Sequence, residues 1–145
     1  MKRPNQAGVT LIELLIVVTI IAVVVGVSFP AITAGLAGLR LTTASGSVAS
    51  FLTSSMNRVD RREEAAAIVV SPKDNLLAVY TAASGEKPAR SLELPQGIRI
   101  EGSEPRRYLL MPGGTAPRMT VVLRNDKGAR KSIRIDPVTA VPDIR

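Results

Sequence analysis

The chain has 145 residues, of which 46% are hydrophobic and only 3% aromatic, and 19 Lys and Arg against 12 Asp and Glu give a formal net charge of +7. There is no Cys and no His, which excludes a disulfide staple, thiolate chemistry, a Ser-His-Asp triad, a His general base and a His-rich metal site. The length suits one ordinary domain plus one appended element, and the positive charge favours acidic partners or a membrane surface.

Residues 1–8, Met-Lys-Arg-Pro-Asn-Gln-Ala-Gly, are polar and basic. Val9–Phe29 follows with a single charge, Glu13, and the polar side chains Thr10, Thr19 and Ser28. As a helix this stretch is roughly 30 Å long, the thickness of a bilayer's hydrocarbon core. Lipid forces backbone hydrogen bonds inward, so even the β-branched run Val23-Val24-Val25 is expected to be helical. Lys2 and Arg3 precede the span and the next base is Arg40, so the positive-inside rule predicts a cytoplasmic N-terminus and an exported remainder. A secretory signal cleaved within residues 31–38 and an unprocessed signal anchor are the competing readings. The length of the apolar core and its carboxylate count against the first.

Glu13 decides between them. A charge deep in a bilayer costs on the order of 2.5–3.5 kcal/mol on insertion scales, so it is either near enough to the interface to reach water or partnered. Cleavage after Gly8 would leave Val9 with a free cationic amine, one helical turn before Glu13. The amine of a neighbouring subunit would then neutralise the carboxylate during side-by-side assembly.

Gly8-Val9-Thr10-Leu11-Ile12-Glu13-Leu14 resembles the class III signal of type IV prepilins and type II secretion pseudopilins. The resemblance implies cleavage by prepilin peptidase between Gly8 and Val9, N-methylation of Val9, an assembly role for Glu13 and a helix kink at Pro30. Val9 departs from the commoner Phe, which bears on the efficiency of processing.

Beyond Pro30 the apolar residues Ile32, Leu36, Leu39, Val48, Leu52, Met56 and Val59 recur mostly at helical three- and four-residue steps, which predicts an amphipathic helix to about 62–64. Its outer half should carry a β domain and its inner half should pack on other subunits. Pro30 removes an amide donor and is expected to bend the helix. Ala34, Gly35, Ala37 and Gly38 read either as a close-approach face or as a flexible membrane exit. Arg58, Arg61 and Arg62 read as a solvated helix end that complements the dipole.

From Ala65 the pattern changes. Prolines at 72, 88, 95, 105, 112, 117, 137 and 142 punctuate short runs, and strands are expected at Ala67–Val70, Leu76–Thr81, Arg90–Leu94, Ile98–Glu101, Tyr108–Met111, Arg118–Arg124 and Lys131–Asp136. In the last hairpin, matching the two apolar sets requires Arg124 opposite Arg130, Val121 opposite Ile133 and Met119 opposite Ile135. That register leaves a three-residue loop, Asp126-Lys127-Gly128, with Gly at the position that favours positive φ. It also puts Arg118, Arg124, Arg130 and Arg134 on one outward face. Such a basic ribbon can bind phosphates. It can equally serve as a soluble face that discourages edge pairing, and it lacks the aromatics that stack on single-stranded bases.

No catalytic or metal constellation emerges. Asp60, Glu63 and Glu64 fall at a helix end and Asp126 in a turn, without calcium-loop spacing. Met111-Pro112-Gly113-Gly114 lacks the Lys-Ser/Thr and the following helix of a phosphate loop.

The signal helix followed by Tyr108-Leu-Leu-Met-Pro-Gly113, Val121-Val-Leu123 and Ser132-Ile-Arg-Ile-Asp136 is similar to the minor pseudopilin H family and its FimT-like pilin relatives. DNA-binding members of that branch carry Gly-Arg-any-Arg, from which Gly128-Ala129-Arg130-Lys131 departs at the second position. The expectation is an α+β, pilin-like chain: leader 1–8, transmembrane helix 9–29, amphipathic helix 30–64 and β domain 65–145. The resemblance implies a non-enzymatic minor pseudopilin without cofactor or metal, anchored in the inner membrane with its β domain in the periplasm. Its partners would be other minor and major pseudopilins, prepilin peptidase and the assembly platform. A minor pilin of a type IV pilus, acting in adhesion, motility or DNA uptake, is the alternative, and a membrane-anchored periplasmic enzyme is the rival of a different class.

Overall fold

The helix starts where the sequence supplies a cap. In the computed structural model, which describes residues 10–145, the Thr10 hydroxyl accepts the Glu13 amide at 3.3 Å and the Thr10 carbonyl accepts the Leu14 amide at 3.1 Å, as expected of an N-cap threonine. Helix α1 then runs over Leu11–Arg62, and position 30 is helical. The chain divides into two units, Met1–Leu36 and Ala37–Arg145.

Within the first unit the apolar side chains from Leu11 to Phe29 are all exposed. By length and composition this part of α1 is able to cross a membrane. The Thr19 hydroxyl donates to the Leu15 carbonyl at 2.7 Å, which satisfies a polar group inside the apolar stretch.

In the second unit α1 becomes one-sided. Leu41, Ala44, Val48, Leu52, Met56 and Val59 are buried at three- and four-residue steps, the stripe a helix turns toward a core. Ile32, Leu36 and Leu39, which the periodicity groups with them, are instead exposed. The buried hydroxyls of Ser45 and Ser55 donate to the carbonyls of Leu41 and Phe51 at 2.8 and 2.7 Å, so neither is left unsatisfied. The helix ends at Arg62, followed by Glu63 at φ 51°, a left-handed residue of the kind that closes helices.

Eight strands follow: β1 Ala66–Ser71, β2 Leu76–Thr81, β3 Arg90–Glu93, β4 Ile98–Ile100, β5 Arg106–Leu110, β6 Thr120–Asn125, β7 Arg130–Ile135 and β8 Pro142–Ile144. They form two antiparallel sheets, ordered β3-β2-β1-β5 and β4-β6-β7-β8. The α+β class with a long N-terminal helix is therefore as expected. Each sheet turns one row of alternating apolar residues inward. Ala66, Ile68, Val70, Leu77, Val79 and Leu110 come from the first sheet, and Ile98, Ile100, Met119, Val121, Leu123, Ile133 and Ile135 from the second. With the α1 stripe they make one core. Burying a side chain such as Leu52 or Leu123 contributes about 1.5–3 kcal/mol.

Asn75 joins the two sheets. It sits at φ 54° after β1, donates from Nδ2 to the Ile98 carbonyl at 2.7 Å and accepts the Ile100 amide at 3.0 Å. A side chain thus replaces the neighbouring strand that β4 lacks on that edge.

The β6–β7 register agrees with the sequence expectation, Arg124 opposite Arg130 and Val121 opposite Ile133, with Ile135 donating to Met119 at 3.0 Å and Gly128 at φ 87°. Two differences stand out. β6 begins at Thr120 and not at Arg118, and β8 was not expected at all. β8 opens on a proline and spans three residues without alternation. Proline is accommodated as the first residue of a strand and on edge strands, and β8 lies at the edge of its sheet.

Candidate functional site

Two regions carry the residues singled out in the sequence. The first is the N-terminus of α1. Gly8 and Val9 lie outside the described residues. Glu13 is the third residue of α1, exposed, with its amide held by Thr10. Thr10-Leu-Ile-Glu13 has the spacing of a capping box, and a carboxylate in the first turn is favoured by the helix dipole. The bond that caps the helix is made by the Thr10 hydroxyl to the Glu13 backbone amide, a cap that the Thr10 position in the sequence could have signalled, while the Glu13 carboxylate lies in the first turn. Pro30 lies within α1.

The second region is the outer face of the β4-β6-β7-β8 sheet. Arg118, Arg124, Arg130 and Arg134 are all exposed, opposite in parity to the buried Met119, Val121, Leu123, Ile133 and Ile135. The strand pairing adds two bases that the sequence reading missed. Arg99 of β4 pairs with Arg124, which pairs with Arg130, so three arginines form a row across three strands. Arg145 pairs with Ser132 through two backbone bonds of 2.8 and 2.9 Å, so it joins the same face beyond β8. Neither is legible in the sequence, because no local pattern gives β4 its neighbour, and β8 is short and opens on a proline.

Acidic groups interrupt this face. Arg130 is bound to Glu101 at 2.9 Å and Arg145 to Asp143 at 2.7 Å, with Asp143 opposite Arg134. Asp136 accepts the amides of Val138 and Thr139 at 2.8 and 3.0 Å. Those bonds, that from Thr139 foremost, hold its carboxyl below the ordinary aspartate range, because amide donors favour the charged form. Arg118, Arg134, Arg145, Asp136 and Asp143 border an open depression of about 460 Å³. The face is basic in sum but mixed in detail, able to contact an extended polyanion through several weak pairs.

Among the described residues, no group of three or more His, Cys, Asp or Glu comes together to hold a metal ion.

Comparison with known families decides the N-terminal reading. Residues 3–29 match the prokaryotic N-terminal methylation motif. The chain carries a class III prepilin signal. That supports a type IV pilin-like protein, and it implies processing by a prepilin peptidase and assembly with other pilins. No curated protein and no solved structure matches the chain.

Proposed function

We propose that this pilin-like protein is a minor pseudopilin of a type II secretion system, cleaved between Gly8 and Val9, N-methylated on Val9 and assembled at the tip of a periplasmic pseudopilus. The observation that carries the reading is the methylation motif at residues 3–29 on a helix whose apolar surface from Leu11 to Phe29 is wholly uncovered in the single chain. Such a surface needs lipid before assembly and neighbouring helices after it. On this reading the chain is an inner-membrane protein with a cytoplasmic N-terminus and a periplasmic β domain. The Val9 amine of one subunit neutralises Glu13 of the next, and Pro30 bends the helix where it leaves the membrane. The protein catalyses nothing and takes no cofactor. It works by joining other minor and major pseudopilins on an inner-membrane assembly platform.

The test is a strain lacking this chain. Exoproteins should accumulate in the periplasm, with rescue by the wild-type chain and not by Gly8→Val, which blocks processing. Normal secretion with lost piliation or DNA uptake would assign the chain to a type IV pilus instead. The basic row Arg99, Arg124 and Arg130 favours that second reading, since phosphate contacts come from clustered arginines.

A further inference from the structure

The end of α1 carries a second basic cluster that the filament reading does not use. Ser54, Arg58, Arg61 and Arg62 fall at spacings that share one side of the helix, and β3 brings Arg90 beside them. The four arginines and Ser54 line one open groove of about 460 Å³.

Arg90 is fixed before any ligand arrives. Its Nη1 donates to the Ser54 hydroxyl at 3.0 Å, and its guanidinium lies 5.2 Å from the centre of the Phe51 ring, a cation–π distance. Arg61 is steadied through its Nε, which reaches the Asn57 carbonyl at 3.4 Å. None of the four forms an ion pair among the described residues, where the only pairs are Arg130–Glu101 and Arg145–Asp143.

Two of the three nearby acids accept backbone amides. Asp60 accepts the Gly113 amide at 3.1 Å and Glu64 the Ala83 amide at 3.3 Å. Glu63 is exposed beyond the helix end at positive φ. Glu64 also borders a small adjoining cavity with Arg58, Arg62 and Arg90 without bonding to them. Complementing the helix dipole calls for a cation or two in the last turn. It does not account for Arg58 one turn earlier, or for Arg90 arriving from a strand.

We propose that this groove binds a phosphoryl-bearing anion. A carboxylate spreads a single negative charge over two oxygens, whereas a phosphoryl group presents three terminal oxygens and a higher charge. Four guanidiniums around one groove match the second ligand. The site is separate from the basic face of the second sheet, where Glu101 pairs with Arg130 and Asp143 with Arg145, and it does not depend on the secretion reading.

The test uses the full chain in uncharged detergent at fixed ionic strength, titrated calorimetrically with pyrophosphate and, in a parallel arm, with citrate. Saturable one-to-one binding of pyrophosphate, weaker by about tenfold in both Arg61→Gln and Arg90→Gln and within about twofold of wild type in Arg124→Gln, is the expected result. Arg61 is exposed, so its variant reports on the site even if the loss of Arg90 from Phe51 disturbs packing. Absence of saturable binding, citrate binding as tightly as pyrophosphate, or an equal loss in Arg124→Gln would each overturn the proposal. The last would show attraction to net charge only.

Discussion

The Asn125 side chain, at the end of β6, donates from Nδ2 to the carbonyl of Ala37 at 3.3 Å, across 88 positions of sequence. The same side chain accepts the amides of Lys127 and Ala129 at 3.1 and 2.8 Å. One buried amide therefore closes the β6–β7 turn and ties it to the first helical residue of the second unit. Asn125→Ala removes all three bonds and leaves two amides in a tight turn without acceptors, each a loss of about 1–3 kcal/mol if water does not replace it. The urea midpoint should fall while the slope stays the same. Tyr80 and Tyr108 fluorescence is a suitable signal because the chain has no Trp. An unchanged midpoint would show that the turn is held by Gly128 and the ladder alone.

Local chemistry made much of this fold legible. The β6–β7 hairpin was readable because alternation fixed which residues face inward and the loop length fixed the register, with Gly128 supplying the positive φ. The helix was readable from periodicity, but its inner limit was not. Ile32, Leu36 and Leu39 continue the apolar pattern and yet lie exposed, while burial begins at Leu41. Periodicity reports that a face is apolar and is silent on what covers it. The links made by Asn75 and Asn125, and the arrival of Arg90 beside Arg58 and Arg61, depend on pairings distant in sequence that no local pattern encodes. At the N-terminus the sequence motif named Glu13, and the structure added Thr10 as its local partner.

Asp136 makes the β7–β8 connection sensitive to acid. Its carboxyl lies below the ordinary aspartate value of about 3.8, chiefly through the Thr139 and Val138 amides. A depressed folded-state pKa gives stability that is fully present above the unfolded value and is lost as pH falls through the folded one. The turn should therefore hold at pH 5 and loosen well below pH 4. Amide exchange at Arg145, whose NH donates to the Ser132 carbonyl at 2.9 Å, reads the docking of β8. Protection should fall with acid in the wild-type chain, and fall less in Asp136→Asn, which keeps an acceptor oxygen but does not titrate. An identical fall in both chains would show that the Asp136 carboxylate does not govern the docking of β8.

The last prediction separates the two roles of Glu13. In the first turn of α1 its amide is capped by the Thr10 hydroxyl at 3.3 Å, and its carboxylate has the spacing to complete a capping box. On the proposed assembly reading it would instead meet the amine of a neighbouring chain. Thr10→Val removes the cap, at a cost of about 1 kcal/mol to the helix start, and leaves the carboxylate. Glu13→Gln retains polar reach and helix propensity but removes the charge. If charge pairing governs assembly, Glu13→Gln will insert and be cleaved yet be recovered poorly in isolated filaments, while Thr10→Val will incorporate close to wild type. If the cap is what matters, the order reverses, because glutamine still fits a capping box. Quantifying both variants in membrane and filament fractions, with cleavage followed by mass, distinguishes a local helix-start role from a contact between subunits.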